Sequence, residues 1–435
     1  MRQRLLKFIF VSIMISMMPK PVFSAATLFG DHKFKFNGYF RSGIGLNGKG
    51  GQQAHFFSSR LGRLGNEDFT FGEAGLTDEF RKSAEDTVPL LAATIMFSFQ
   101  TPQQKSFDYA IPAWSQVYVV GRFWESGARA WVGNRYYLRE KVDIMDYYYY
   151  DLSSPGAGIQ DIPLGGRDAK AAFAVLLRGV TGEVVRSTSS IGTPVATLFD
   201  LRLYGLRSPF NGNFELGLTS AVSSGGSLTA DNSVTESFEG IRAYGVTLKY
   251  GLAIQDSAIG TTLQFCNGVP DIFRASTITD TSIVRPQGSQ NEQAWRFRLI
   301  QDASIFFSEH WHLDAALVYE ASLSHLSAMN RLSETNLVLR PYRFLTPDLG
   351  LLMELGFSSL TTTGAPRKNI GKITFAVQTS LARDVNFHPL LRAFVTYAHW
   401  SDSFKGVGSG TVDASGAYAS STQGSSIGIQ GEAAW

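Results

Sequence analysis

The stretch "WHLDAALVYEA" (residues 311–321) alternates strictly. Trp311, Leu313, Ala315, Leu317 and Tyr319 fall on one side, and His312, Asp314, Ala316, Val318 and Glu320 on the other. A period of two is that of a β-strand with one apolar and one wetter face. The apolar face begins and ends with an aromatic ring, as in a strand that crosses an oily band between two interfacial girdles. The end of the chain, "SIGIQGEAAW" (426–435), repeats the pattern. Ile427, Ile429, Gly431, Ala433 and Trp435 point one way, and Gly428, Gln430, Glu432 and Ala434 the other.

Working outward, strands are expected at 34–46, 67–76, 90–100, 115–124, 128–137, 170–178, 196–206, 213–221, 240–250, 260–267, 294–306, 335–343, 350–358, 372–381 and 391–400. With the two above, that makes seventeen. One more in the glycine-rich region 401–420 would give 18, and an even number is the rule for bacterial barrels. No stretch after the N-terminus is long and apolar enough to cross a membrane as a helix. In lipid, unpaired backbone groups cost several kcal/mol each, so a spanning chain of strands must close its sheet. The expected fold is therefore all-β: a closed antiparallel transmembrane barrel of 18 strands. A soluble sandwich or propeller is the alternative.

The opening "MRQRLLKFIFVSIMISMMPKPVFSAA" has a basic start (Arg2, Arg4, Lys7), an apolar run from Leu5 to Met18, the breaker Pro19 and small residues near Ser24 to Ala26. That is the form of a secretory signal peptide, expected over 1–25, with one barrel domain over 26–435. The net charge is +2 and charged residues are 17% of the chain, against ~25% in ordinary soluble domains. No basic footprint for nucleic acid is present. The lone Cys266 allows no internal disulfide and reads as a small packed hydrophobe.

The segment "DIMDYYYYDLSSPGAG" (143–158) breaks the rhythm. It belongs to a stretch from Arg139 to Arg167 with no period of its own. Long structureless stretches in compact domains are usually functional. Asp146, Asp151 and Arg139 surround the phenols, and Pro155, Gly156 and Gly158 follow as turn signals. Mixed charges beside aromatics suit a narrow wet lumen better than a lipid edge, so the run is expected to fold inward and constrict a pore.

At this point the chain resembles the maltoporin-type sugar porins. The resemblance is carried by "FNGYFRSGIG" (36–45), "RLGNE" (63–67) and "GNRYYLREKVDIMDYYYYDLSSPGAG" (133–158), with a weaker echo in "RAFVTYAHW" (392–400). It implies an 18-stranded homotrimer in the outer membrane of a Gram-negative bacterium, surrounded by lipid, with an inward third loop. It also implies facilitated diffusion of oligosaccharides such as maltose and maltodextrins, without enzymatic activity and without a cofactor. By the same resemblance Tyr39, Phe71 and Tyr148 match rail and constriction aromatics, and Phe107 matches one donated to a neighbouring subunit. Arg41, Arg63, Glu73, Arg139 and Asp146 match the polar track, and Asp151 a loop position near the constriction.

The chain also departs from the pattern. The family's cysteine pair in the first loop is replaced by His55 and Asp68. Ser115 stands for a track arginine and Lys141 for a track aspartate, which reverses the local sign. Asn386 and Ala434 stand where the family has tryptophans, so half of the rail is missing. A general diffusion porin without sugar preference is the alternative function.

Two further patterns point away from a channel. "GSSIG" (424–428) has the spacing of a hydrolase nucleophile but lies in the expected closing strand rather than at a strand–turn–helix elbow. His310 and His312 share a face by parity, and no third metal ligand accompanies them.

Overall fold

A computed structural model describes residues 31–435 apart from 84, 86–87, 104–109, 123–126, 166–167, 180–194, 209–210, 225, 231–233, 270, 274–284, 287–292, 325–329, 382–388 and 407–415. The expected signal peptide, Phe107, Asn386 and Phe387 lie outside the described residues.

Eighteen strands form one sheet that closes on itself. Each strand pairs antiparallel with the next in the chain, and the seam joins the first strand, His32–Asn47, to the last, Gln423–Ala434, with Tyr39 opposite Ala434 and Arg41 opposite Glu432. Closure leaves no sheet edge, which is what the bilayer demands. The seventeen strands expected from alternation are all present, most of them longer than expected.

The eighteenth strand corrects the sequence reading. It is Ser154–Pro163, paired with Arg129–Arg135 on one side and Lys170–Gly179 on the other. The described residues of 401–420 carry only a short helical turn, Asp402–Phe404. The third loop therefore ends before Ser154 rather than running to Arg167. Gly156 and Gly158 are not turn residues. A Cβ on Gly156 would run into the Val175 carbonyl, and one on Gly158 would stand 2.8 Å from Nε1 of Trp131. The glycines let neighbouring strands and an inward tryptophan approach closely.

Parity sorts the side chains as expected. Phe36, Ile44, Trp311, Ile427, Ile429 and Trp435 are exposed on the outside, whereas Arg41, His312, Glu320 and Glu432 are buried on the inside. Trp435 stacks on Phe36 with ring centroids 5.9 Å apart, so the terminal ring belongs to the outer girdle. Cys266 is fully buried.

Candidate functional site

Two loops fill the interior. In the third, Glu140–Val142 pairs with Tyr147–Tyr150 as a small hairpin across a turn at Asp143–Met145. Asp146 closes that turn in the left-handed region at φ 44°, which aspartate tolerates better than most residues. The first loop meets the hairpin from the other side. The Arg63 backbone N–H donates to the Ile144 carbonyl at 2.9 Å, and the Arg60 guanidinium lies 4.4 Å from the Tyr147 ring centroid.

The four tyrosines do not act as one rack. Tyr147, Tyr149 and Tyr150 are buried and dock the loop to the wall. Their hydroxyls donate to Glu320 (3.2 Å), Glu140 (2.9 Å) and Asp200 (3.2 Å) respectively. Only Tyr148 is partly exposed. Its ring lies beneath Arg139 at 4.4 Å and near Lys141 at 5.7 Å. Burial raises its pKa, Lys141 and Arg139 oppose that rise, and the phenol stays neutral.

Behind this hairpin sits an anchor that sequence reasoning missed. Arg298 is fully buried and donates to Glu320 (2.7 Å), Asp271 (2.7 Å), Gln264 (2.8 Å) and the Tyr149 carbonyl (3.0 Å). Arg296 adds a contact to Glu320 at 2.8 Å. The signal was present: Glu320 is an acid on the inner face of the strand Trp311–Ser324, and a buried acid needs a partner.

Most of the remaining expected site residues meet beside this hairpin. Tyr39 and Phe71 come from adjacent strands, with ring centroids 6.1 Å apart. The Tyr39 hydroxyl donates to Glu432 (2.7 Å) and accepts from Arg63 (3.2 Å). Arg63 also donates to Glu67 at 2.7 Å, and Arg41 pairs with the same carboxylate. Arg41 lies 3.7 Å from Asp146, which Lys141 approaches to 3.6 Å. Burial opposes the charge on Asp146, but Arg63, Lys141 and Arg41 together hold it below the usual aspartate range. Glu73 accepts from the Tyr136 hydroxyl at 2.5 Å and lies 3.6 Å from Arg139.

Asp151 takes a different place from the open neck. It is buried, its backbone N–H donates to the Phe273 carbonyl at 2.7 Å, and its carboxylate accepts from the Ser153 N–H at 3.0 Å. Its contact with Arg139, at 3.7 Å, comes from behind. His55 and Asp68, at the expected cysteine positions, approach to 3.6 Å. His310 sits in the turn ahead of the strand Trp311–Ser324, and His312 is buried against Asp314 at 2.7 Å. The two do not share a strand face, contrary to their parity, because the strand begins after His310. Ser426 lies inside the closing strand, not at an elbow.

A polar cavity of about 440 Å³ opens beside the neck, bounded by Tyr39, Arg63, Lys141, Asp302, Asp314 and Arg392 among others. A closed barrel with an apolar outer band, a charged interior and an inward loop is a transmembrane channel of the bacterial outer membrane, a porin. The chain belongs to the LamB porin family, whose model matches residues 34–435. Solved structures resemble it at low identity. The anion-selective porin from Comamonas acidovorans is 11% identical with a TM-score of 0.48, over 92% of this chain and 100% of that one. OccK2 of Pseudomonas aeruginosa is 9% identical with a TM-score of 0.48, over 92% and 97%. The trimer form of OmpT from Vibrio cholerae is 8% identical with a TM-score of 0.41, over 93% and 99%. At these values nothing about selectivity passes from them to this chain.

Proposed function

We propose that this porin is a passive channel selective for sugars, maltodextrin-like oligosaccharides among them. It works as a homotrimer after loss of the signal segment 1–25. The observation that carries this reading is the Tyr39–Phe71 ring pair, set beside Arg41, Arg63 and Glu73 at the neck that Tyr148 enters. Sugars have C–H faces that stack on rings and hydroxyl rims that exchange hydrogen bonds with fixed ions. Conduction requires such contacts to be weak and repeated, so that a solute enters without being trapped. The concentration gradient alone drives transport.

A general diffusion porin is the second reading. It is favoured by Ala434, which faces Tyr39 across the seam where the family's pattern has a tryptophan. Single-channel conductance in a planar bilayer separates the two. Stepwise block of ion current by an oligosaccharide supports the sugar channel, and indifference to every sugar tested supports general diffusion. Cross-linking of the purified channel in detergent checks the trimer.

A further inference from the structure

The cavity beside the neck is electrically lopsided. On the side formed by the strands from Asn330–Phe344 round to His32–Asn47, with the loops that meet it, stand six cations, of which Arg340, Arg392, Arg63 and Lys141 line the cavity and Lys372 and Arg41 sit behind it. Five carboxylates serve them, one of which, Asp143, lines the cavity and lies 3.2 Å from Lys141. Glu354 takes both Arg340 (2.5 Å) and Lys372 (2.8 Å). Glu432 takes Arg63 (3.1 Å) and Arg392 (3.3 Å), Glu67 takes Arg63 and Arg41, and Asp146 lies near Lys141 and Arg41.

Arg41 Nε lacks an acceptor among the described residues too, but of the cations that line the cavity Arg392 is the one left short. Its side chain is 6% exposed, its Nε donates to Gln378 at 2.8 Å, and its Nη1 has no hydrogen-bond partner among the described residues. A buried donor without an acceptor is costly, and this one belongs to a residue that lines the cavity. The wall beyond has the opposite sign. Among the described residues Asp302, on Trp295–Ser308, forms no ion pair, and Asp314, on Trp311–Ser324, has only His312.

We infer that this cavity is a subsite for acidic sugars. A uronate carboxylate accepts from Arg392 Nη1, and hydroxyls of neighbouring units donate to Asp302 and Asp314. A carboxylate satisfies a guanidinium through a charge-assisted bond that a hydroxyl matches only weakly. The cavity is continuous with the neck through Tyr39 and Arg63. The inference rests on the sugar-channel reading and narrows its substrate class.

The test is current block of the full-length channel by trigalacturonate and by maltotriose, in wild type, Arg392→Gln and Arg392→Lys. Trigalacturonate is expected to half-block at a concentration at least ~10-fold lower, a difference of about 1.4 kcal/mol. Arg392→Gln is expected to erase that difference by weakening trigalacturonate block far more than maltotriose block, and Arg392→Lys to keep most of it. Equal block by both sugars in wild type overturns the inference and spares the sugar channel; no block by either overturns both. A Gln variant that loses both blocks together also overturns it, since Arg392 is then structural. If that variant does not insert, salt gives the answer in wild type. Trigalacturonate block must weaken as ionic strength rises while maltotriose block holds; parallel curves reject the subsite.

Discussion

Arg139 lies over the ring of Tyr148, 4.4 Å from its centroid, and over Tyr136 at 3.9 Å on its other flank. The contact clamps the one tyrosine of the run that stays partly exposed. Tyr148→Ala is expected to widen the neck and raise single-channel conductance. Unchanged conductance would place the constriction elsewhere. Tyr150 is a contrast, because it holds the loop from behind. Tyr150→Phe deprives Asp200 of a donor and is expected to cost about 1–3 kcal/mol of stability with conductance unaltered.

Arg298 ties the barrel wall to the loop backbone at Tyr149. Arg298→Met leaves Glu320 and Asp271 without their principal cation. Removing one partner of a buried pair costs about 3–5 kcal/mol. The expected outcome is a lower urea midpoint for loss of the folded band on unheated gels, together with noisy current from an unseated loop. A steady channel with the wild-type midpoint counts against the anchor.

Ala434 faces Tyr39 across the seam. Ala434→Trp is expected to restore a stacking surface beside Tyr39 and Phe71. Aromatic contacts contribute about 0.5–1.5 kcal/mol beyond burial, so block by maltotriose should tighten up to ~10-fold. Equal affinity in the two proteins would show that no sugar passes over Tyr39.

His55 and Asp68 approach to 3.6 Å where a disulfide is expected from the family pattern. The double variant His55→Cys/Asp68→Cys should therefore oxidise to an internal disulfide, read as a faster band on non-reducing gels. Closing so short a loop stabilises by about 3 kcal/mol in the chain-entropy account. Failure to cross-link would mean that the two ends of the loop are not neighbours.

Asp146 sets a pH limit on the loop. Its folded pKa is depressed by Arg63, Lys141 and Arg41 against the effect of burial. Its contribution is thus complete above the unfolded value of about 3.9 and fades as pH falls through the lower folded value. Single-channel conductance should hold from neutral pH down to about 4 and change below. Asp146→Asn should show the acid behaviour already at pH 7; if its traces match wild type there, the loop does not depend on this charge.

The strand Ser154–Pro163 shows where local reading stopped. "SPGAGIQDIP" carries Pro and Gly at positions that signal a turn in most contexts. Its extended form depends on Trp131 and Val175, which crowd the space a side chain would need. Those neighbours are distant in sequence, so no window on the segment contains them. Alternation alone assigns a face to Phe71, Tyr39, Arg41 and Glu73, because strand parity is local. The four tyrosines could not be told apart in that way. A short hairpin with a left-handed Asp146 buried three against the wall and left one partly exposed.

The sequence by itself determined the alternation, the apolar outer band and the presence of an interrupting loop. Each is a consequence of Cβ direction along an extended chain, which neighbouring residues dictate alone. Only the tertiary structure decided which strand completed the cylinder, which phenol stayed open and that Arg298 held the loop. Those outcomes depend on who lies across the lumen, and closure of the sheet is what brings such partners together.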